Sequence, residues 1–472
     1  MVLLALAALA AACSGKHERG ADARRGGREL AMHEASPAPT RRPHSTRNVL
    51  VVTVVNGDTN RRVRNARVRL GGRVARTDRH GAVKIRVRRR QSLRVTVKAR
   101  GYGSRTIREP FQRKRKVMIR IYRPALQWPV YGASPLRSQA QSEIALRPPF
   151  RVVWSRGMGS LIEFPAVVSD GVAYIGNARG AIRALSMRFG SLVWRHDIPH
   201  GKLAASPAVA GDEVLVHGMD GHVWALDRAN GRLRWYRTIG SPIESSPVVW
   251  HGTDYFGTWS GRLYALNVRT HRIRWSRALG AKITSSVAVA GRTVYVGDYA
   301  GRIWALSART GRTRWVRHVN GRVYGTPAIA HRKVFVPSST GGSLTAFTTG
   351  GRYLWSVHTG SYVYSSPAAS RGRVFFGSYN GVFYCVSARS GRVLWRVGAG
   401  GAISGAAVVV AGVAYAGSFG HRITGVDART GRVLLRFPHG EYVPVSGNGG
   451  RLLLHGFSRL YAVKPRHAHR RR

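Results

Sequence analysis

Cysteine is almost absent from this chain. Of 472 residues only Cys13 and Cys385 are cysteines, which excludes a disulfide framework and any CxxC metal or redox motif. Cys385 occupies a slot held elsewhere by Ala184, Ala225, Ala265 and Ala305, so it reads as a buried structural thiol. Acid is scarce too: 20 Asp and Glu stand against 77 Lys and Arg, a formal net charge of +57, and only nine of the cations are Lys. A field of this sign attracts anionic lipid, acidic wall polymer and nucleic acid over long range. Yet Arg is spread over nearly every turn of a chain rich in Ala and Gly, the pattern of a base-composition bias, and no specific nucleic-acid site is expected. The phosphate-binding P-loop, the GxGxxG turn and the GxSxG nucleophile elbow are all missing. The apolar run from Met1 to Ala12 is too short to span a membrane and has the make-up of a signal-peptide core.

What the chain does have is one phrase, repeated. Trp154, Trp194, Trp235, Trp275, Trp315, Trp355 and Trp395, then Leu435 in the same phase, recur every 40 residues with a single step of 41. A period of this size marks stacked units that each bury a face against the next. The best-preserved copy runs Ser285-Ser-Val-Ala-Val289, Thr293-Val-Tyr-Val-Gly297, Gly301-Arg-Ile-Trp-Ala-Leu306 and Gly311-Arg-Thr-Arg-Trp315. These are four strand-length pieces whose joints carry the glycines of tight hairpins, which predicts a propeller blade. Glycine recurs 14 residues before the anchor (Gly301, Gly341, Gly381), with His421 in the last copy, and four before it (Gly231, Gly311, Gly391), with His271 as the exception. Pro165, Pro207, Pro247, Pro327 and Pro367 are expected in the first strand of their units, an edge strand around a central channel where no ladder donor is needed. After Leu435 three more strands follow, ending at Leu460-Tyr-Ala-Val463. Phe150-Arg-Val-Val-Trp154 is available as their fourth, and seven complete units plus this shared one predict eight blades.

Ahead of the repeat the pattern differs. Residues 1–13 form the signal segment, and 14–47 are polar, rich in Arg, Ser and Pro, and read as a disordered tether. Residues 48–123 alternate apolar and basic positions, as in Val83-Lys-Ile-Arg-Val87 and Leu93-Arg-Val-Thr-Val97, and predict a small β-sandwich with a wet basic face. A connector, 124–149, carries Trp128-Pro-Val-Tyr131 as an anchor for the propeller, which spans 150–464, and a basic tail closes the chain at 465–472. The fold class expected is all-β: an eight-bladed propeller with a small N-terminal sandwich.

Several of these segments resemble known families. Ala305-Leu-Ser-Ala-Arg-Thr-Gly-Arg-Thr-Arg-Trp315 is similar to the PQQ-like repeat of eight-bladed quinoprotein-type propellers, and the resemblance covers about residues 125 to 465. It implies one of two functions. One branch holds the quinoprotein dehydrogenases, with pyrroloquinoline quinone (PQQ) and Ca2+ on the propeller axis. The other holds non-catalytic scaffolds, among them the propeller lipoprotein of the outer-membrane β-barrel assembly machinery. Val63-Arg-Asn-Ala-Arg-Val68, Thr77-Asp-Arg-His-Gly81 and Ala99-Arg-Gly-Tyr102 resemble the carboxypeptidase regulatory-like, transthyretin-like sandwich, an accessory module without catalytic residues. The N-terminus resembles a bacterial lipoprotein signal, which implies lipidation of Cys13.

A dehydrogenase needs a carboxylate and amide calcium site, a further Asp as base and, in many members, an adjacent Cys-Cys pair. No such pair exists in the sequence. The position nine residues after each anchor is expected to begin the channel-lining strand. It holds Glu163, Glu244, Thr284, Tyr324, Tyr364, Ser404 and Pro444, with Ala204 in the second unit. Glu163 and Glu244 are expected to be a polar lining salt-bridged to local Arg. Trp259, Tyr299 and Tyr379 sit in second-to-third-strand turns, where they pack blades or form an aromatic contact rim. Asp220 and Asp298 read as turn residues, and His467 and His469 as part of the basic tail. No catalytic, cofactor or metal residue is assigned. The expectation is an exported, monomeric, non-catalytic scaffold of the cell envelope that binds envelope proteins. Anionic lipid or wall polymer is the further partner, and a PQQ- and Ca2+-dependent dehydrogenase the alternative.

Overall fold

The computed structural model describes residues 49–87, 92–110, 116–199 and 201–466. Cys13, the signal and tether segments and the His467/His469 tail lie outside the described residues.

The N-terminal module holds two sheets. Val49–Asn56 pairs antiparallel with Ala82–Arg86 and parallel with Lys116–Ile121. Arg73–Arg76, Arg67–Leu70, Ser92–Lys98 and Arg105–Pro110 make the second sheet in that order. Alternation at period two turns Val52, Val54, Val68, Val95, Val97 and Ile119 into one shared core and leaves Arg67, Arg69 and Arg94 in solvent. Each such fully buried valine contributes roughly 1.5 kcal/mol or more.

Beyond residue 150 the described chain builds eight four-stranded antiparallel sheets, one for each repeat. The fourth is typical: Ala288–Ala290, Thr293–Gly297, Arg302–Ser307 and Thr313–His318 pair in sequence order. The first spans 167–197 and the seventh 408–438. The eighth is assembled from both ends: Val445–Asn448, Arg451–His455 and Arg459–Pro465 are completed by Phe150–Gly157, with Ala462 opposite Trp154. The two ends of the repeat, Phe150–Gly157 and Arg459–Pro465, are paired with each other. Cores form between neighbouring sheets, as where Tyr295 and Ile303 of the fourth meet Val334, Val336 and Phe347 of the fifth.

The recurring tryptophan couples one sheet to the next. Its own strand places it opposite a small residue, Ala305 across from Trp315 and Cys385 across from Trp395, so Cys385 is a fully buried thiol whose burial pushes its pKa up to about 11. The indole then lies against the glycine turn of the following sheet. A Cβ on Gly231 would come within 2.5 Å of the Trp194 ring, and one on Gly391 within 2.8 Å of the Trp355 ring, so a larger residue enters that approach only if ring or turn shifts. The ring N–H of Trp194 donates to Arg228 O, that of Trp275 to Ala308 O and that of Trp315 to Thr349 O, which supplies the partner a buried indole needs. Where His271 replaces glycine, its ring stacks on Trp235.

Three expectations are corrected. Pro165, Pro207, Pro327 and Pro367 stand ahead of their inner strands, which begin at Val167, Ala208, Ala328 and Ala368, and Pro247 likewise precedes Val249. A residue without an N–H sits there at no cost, because the ladder has not started. In the fifth sheet the left-handed turn residue is Gly342 (φ 62°) rather than Gly341, because Lys333–Ser338 runs one residue longer than Thr293–Gly297 of the fourth sheet and the turn after Ser343–Thr348 is one shorter. The connector is more than a spacer, since Ala140–Gln141 adds a short parallel strand to the seventh sheet.

Candidate functional site

The connector makes a strap across the inner strands. Trp128 exchanges backbone hydrogen bonds with Val168 of the first sheet. Val209, Val289, Ile329, Ala369 and Val409 then donate their N–H groups to the carbonyls of Pro129, Pro135, Leu136, Ser138 and Gln139. The exposed ladder edges of six inner strands are thereby satisfied by one segment. Arg137 holds the strap from within. It is wholly buried, and its guanidinium donates to the carbonyls of Tyr131, Ser246, Pro247 and Val287. Burial pulls its pKa down to about 10, with the Tyr131 and Asp254 side chains acting the other way, so it stays charged at neutral pH.

Against this strap lies a cavity with about 40 Å³ of open space, and Tyr131 from the strap forms part of its wall. Glu163, Glu244, Thr284, Tyr324, Tyr364 and Ser404 all line it. They do so from the loops leading into the inner strands rather than from the strands themselves, since the strand after Glu244 begins only at Val249. Tyr442 and Val443 take the wall position expected of Pro444, and Ala204 of the second unit is not part of the wall.

The two carboxylates are held differently, and neither is ion-paired to an Arg among the described residues. Glu244 is 7 % exposed, and its Oε1 accepts a 2.6 Å hydrogen bond from the Tyr324 hydroxyl while Oε2 accepts the Trp259 ring N–H at 3.0 Å. The expected pairing with local Arg is not made, and the nearby cations lie over rings instead. Lys282 Nζ lies 3.3 Å from the Trp259 ring centroid and the Arg322 guanidinium 5.7 Å from that of Tyr299. Glu163 accepts no hydrogen bond from a described residue. Burial and the Glu244 carboxylate hold its carboxyl above the usual range, with Lys202 pulling the other way. Burial, reinforced by both glutamates, raises the Tyr324 phenol well above its ordinary value. Thr284 is 5 % exposed, and its Oγ1 lacks a hydrogen-bond partner although the Tyr299 phenol stands beside it.

Tyr299 and Tyr379 belong to an aromatic arc at this mouth, and Trp259 joins it through Lys282, whose Nζ lies over the rings of both Trp259 and Tyr299. Ring centroids follow one another at 6.5 Å (Tyr299–Tyr324), 5.5 Å (Tyr324–Tyr364), 5.0 Å (Tyr364–Tyr379), 5.8 Å (Tyr379–Phe419) and 5.6 Å (Phe419–Tyr442). Phe419 was readable, because it occupies the slot sixteen residues before its anchor that Trp259, Tyr299 and Tyr379 hold. The strap was not, since its contacts follow no period. Asp298 behaves as turn chemistry: its Oδ1 accepts the backbone N–H of Ala300 and Arg302.

These groups do not fit PQQ with calcium. Calcium takes six to eight oxygens, whereas both oxygens of Glu244 are engaged and the described residues contain no group of three His, Cys, Asp or Glu side chains able to hold a metal. The open space is also far below the roughly 300 Å³ or more of a site for a multi-ring organic ligand.

Comparison with known proteins agrees with the repeat. The chain is 27 % identical over 103 residues to the outer membrane protein assembly factor BamB of Yersinia pestis and 28 % identical over 97 residues to that of Bordetella pertussis. Those matches take in 20 % and 21 % of this chain and 26 % and 25 % of the relatives, so it spans about a quarter of their length. Among solved structures, BamB from Moraxella catarrhalis superposes with a TM-score of 0.58 at 18 % identity, over 68 % of this chain and 99 % of that one. Quinohemoprotein alcohol dehydrogenase from Comamonas testosteroni gives 0.63 at 14 % identity over 72 % and 80 %. At such identities these likenesses show the propeller fold alone. The family model described as outer membrane protein assembly factor BamB matches residues 144–285, 260–363 and 341–466, and the chain therefore belongs to that family of PQQ-like repeats.

Proposed function

We propose that this protein is a non-catalytic binding scaffold of the cell envelope, in which an eight-bladed propeller presents its aromatic mouth and loops to envelope protein partners. The observation that carries the reading is the pit itself. Glu244 is taken up by the Tyr324 hydroxyl and the Trp259 indole, Glu163 has no described partner, and the pit has neither the ligands nor the room for a quinone cofactor. Membership of the assembly-factor family supports a role beside outer-membrane proteins. Exposed Tyr362, Trp259 and Phe457 are the kind of side chains that anchor protein contacts. The N-terminal module is proposed as an accessory sandwich of the carboxypeptidase regulatory-like type, whose basic face meets anionic lipid or wall polymer, and Cys13 as the site of a lipid anchor.

The test is a photo-crosslinking residue at Tyr362 or Trp259 in intact cells, with the captured proteins identified. Envelope assembly proteins are expected. Dye-linked alcohol oxidation by material reconstituted with PQQ and Ca2+, lost on Glu163→Ala or Glu244→Ala, would overturn the reading in favour of a dehydrogenase.

A further inference from the structure

The axial pit divides into two chemically unlike halves. One side presents oxygen: Glu163 without a hydrogen-bonding partner, Glu244, and the orphaned Oγ1 of Thr284. The other presents the rings of Tyr324, Tyr364 and Tyr442. A buried hydroxyl oxygen left unpaired costs about 1–3 kcal/mol, and with Glu163 unpaired as well the pit suits a donor brought from outside. That donor meets three requirements. It must offer several N–H or O–H groups to a set of acceptors. It must fit about 40 Å³. It must also gain from facing both carboxylate and aromatic surface.

From these we propose that the pit is a binding site for a primary alkylammonium group. An –NH3+ head carries three donors and no acceptor. The two Glu163 oxygens and Thr284 Oγ1 supply three acceptor atoms, Glu244 adds a second carboxylate charge, and the rings of Tyr324, Tyr364 and Tyr442 line the same pit, where aromatic surface favours a cation. A guanidinium is a wider planar fork and a quaternary ammonium has no donors, so neither uses the pit as fully. A divalent cation is excluded by the scarcity of free carboxylate oxygens, and water satisfies the oxygens while gaining nothing from the rings. Of the chain's own cations, Lys202 is near enough to draw on the Glu163 carboxyl but forms no hydrogen bond or ion pair with it, and the two at the mouth are placed over rings. Lys282 lies over Trp259 and Tyr299, Arg322 lies over Tyr299, and neither forms an ion pair with the glutamates. The strap closes the pit behind Tyr131, so the ammonium enters head first from the aromatic mouth with its alkyl stem trailing between rings. This assignment stands apart from the scaffold reading and survives or fails without it.

The experiment is ligand-observed saturation-transfer NMR on the full chain, with n-butylammonium chloride, n-butanol and tetramethylammonium chloride compared at equal ionic strength. Butylammonium is expected to bind about tenfold or more tightly than either of the others, and Glu163→Gln to weaken it by about tenfold with the unfolding midpoint unchanged. If Glu163→Gln does not fold, Thr284→Val, which removes the orphaned oxygen at constant volume, is expected to give a smaller loss of the same kind. Equal binding of butanol and butylammonium, or undiminished binding by a folded Glu163→Gln protein, overturns the proposal. A capped pentapeptide with one central lysine, set against its norleucine analogue, distinguishes sources. Lysine-dependent binding marks the ammonium as a partner protein's side chain, whereas binding of butylammonium alone marks it as a free amine.

Discussion

The ring of His271 lies on the indole of Trp235 with 4.4 Å between centroids and 23° between planes, in the place where the other sheets set a glycine beneath the tryptophan. Glycine is required elsewhere because a Cβ would enter the ring and because the turn is left-handed, as at Gly391 with φ 73°. His271 adopts the same sign, φ 57°, and offsets the backbone strain by stacking. Gly391→Ala should therefore cost about 1–3 kcal/mol, while His271→Gly should change little, because lost stacking and relieved strain oppose each other. Urea midpoints on the full chain check this, and an unchanged midpoint for Gly391→Ala would sink the idea that the Trp–Gly contact couples the sheets.

Arg137 satisfies four carbonyls from three parts of the chain. Replacing it by Met leaves those oxygens buried without donors, and a loss of about 3–5 kcal/mol is expected. Arg137→Lys should recover only a fraction, since an ammonium cannot reproduce the spread of the guanidinium fork. Thermal melts of the two variants decide it. A Lys protein as stable as the original would mean that charge alone, rather than the fork, holds the strap.

Two buried groups titrate in opposite senses. Burial raises the Asp58 carboxyl from 3.8 to about 7, against its hydrogen bond from Gln127 and with help from Asp170. The folded state therefore keeps a proton that the unfolded chain releases, and stability falls as pH rises through that window. Burial lowers His455 from 6.5 to about 4, against the pull of Pro444 O, and its Nε2 accepts the Ala166 N–H. Here the unfolded chain takes up the proton, and stability falls as pH drops from 6.5 towards 4. The two slopes partly cancel in the native protein. Asp58→Asn should expose a stability that climbs with pH, and His455→Gln one that declines with it, in melts across that range. Parallel curves for the native protein and Asp58→Asn would show that Asp58 is already ionised when folded.

His217 and Asp254 form a fully buried pair between the second and third sheets, Nε2 to Oδ2 at 2.9 Å. Each has a second partner: Ser245 O faces His217 Nδ1 at 2.6 Å, and the Val248 N–H donates to Asp254 Oδ1 at 3.0 Å. Removing either side chain should cost about 3–5 kcal/mol. The double variant should cost less than the two combined, by about 0.5–3 kcal/mol of coupling. Strict additivity in a double-mutant cycle would show that the pair carries no shared energy.

Period made most of the fold readable. Once the 40-residue step is known, the four strands of each sheet, the turn glycines and the pairing of Trp154 with Ala462 all follow from spacing. The slot nine residues after each anchor names six residues that stand on one cavity, because equivalent positions in stacked sheets face the same axis. What spacing does not carry is anything that occurs once. The strap from Trp128 to Gln141 has no copy to be compared with, and the role of Arg137 depends on carbonyls more than a hundred residues away. The partners of Glu244 were misread for a related reason. Arginine is so common here that an ion pair looked inevitable, yet local geometry turned Arg322 onto an aromatic ring and left the carboxylate to a phenol and an indole.

The strap also fixes how the axis can be used. Because a length of the protein's own backbone is stitched across the inner strands, the passage is a cup rather than a tube. A polymer could lodge a terminus or a side chain in it but could never be drawn through, and whatever enters must leave by the way it came.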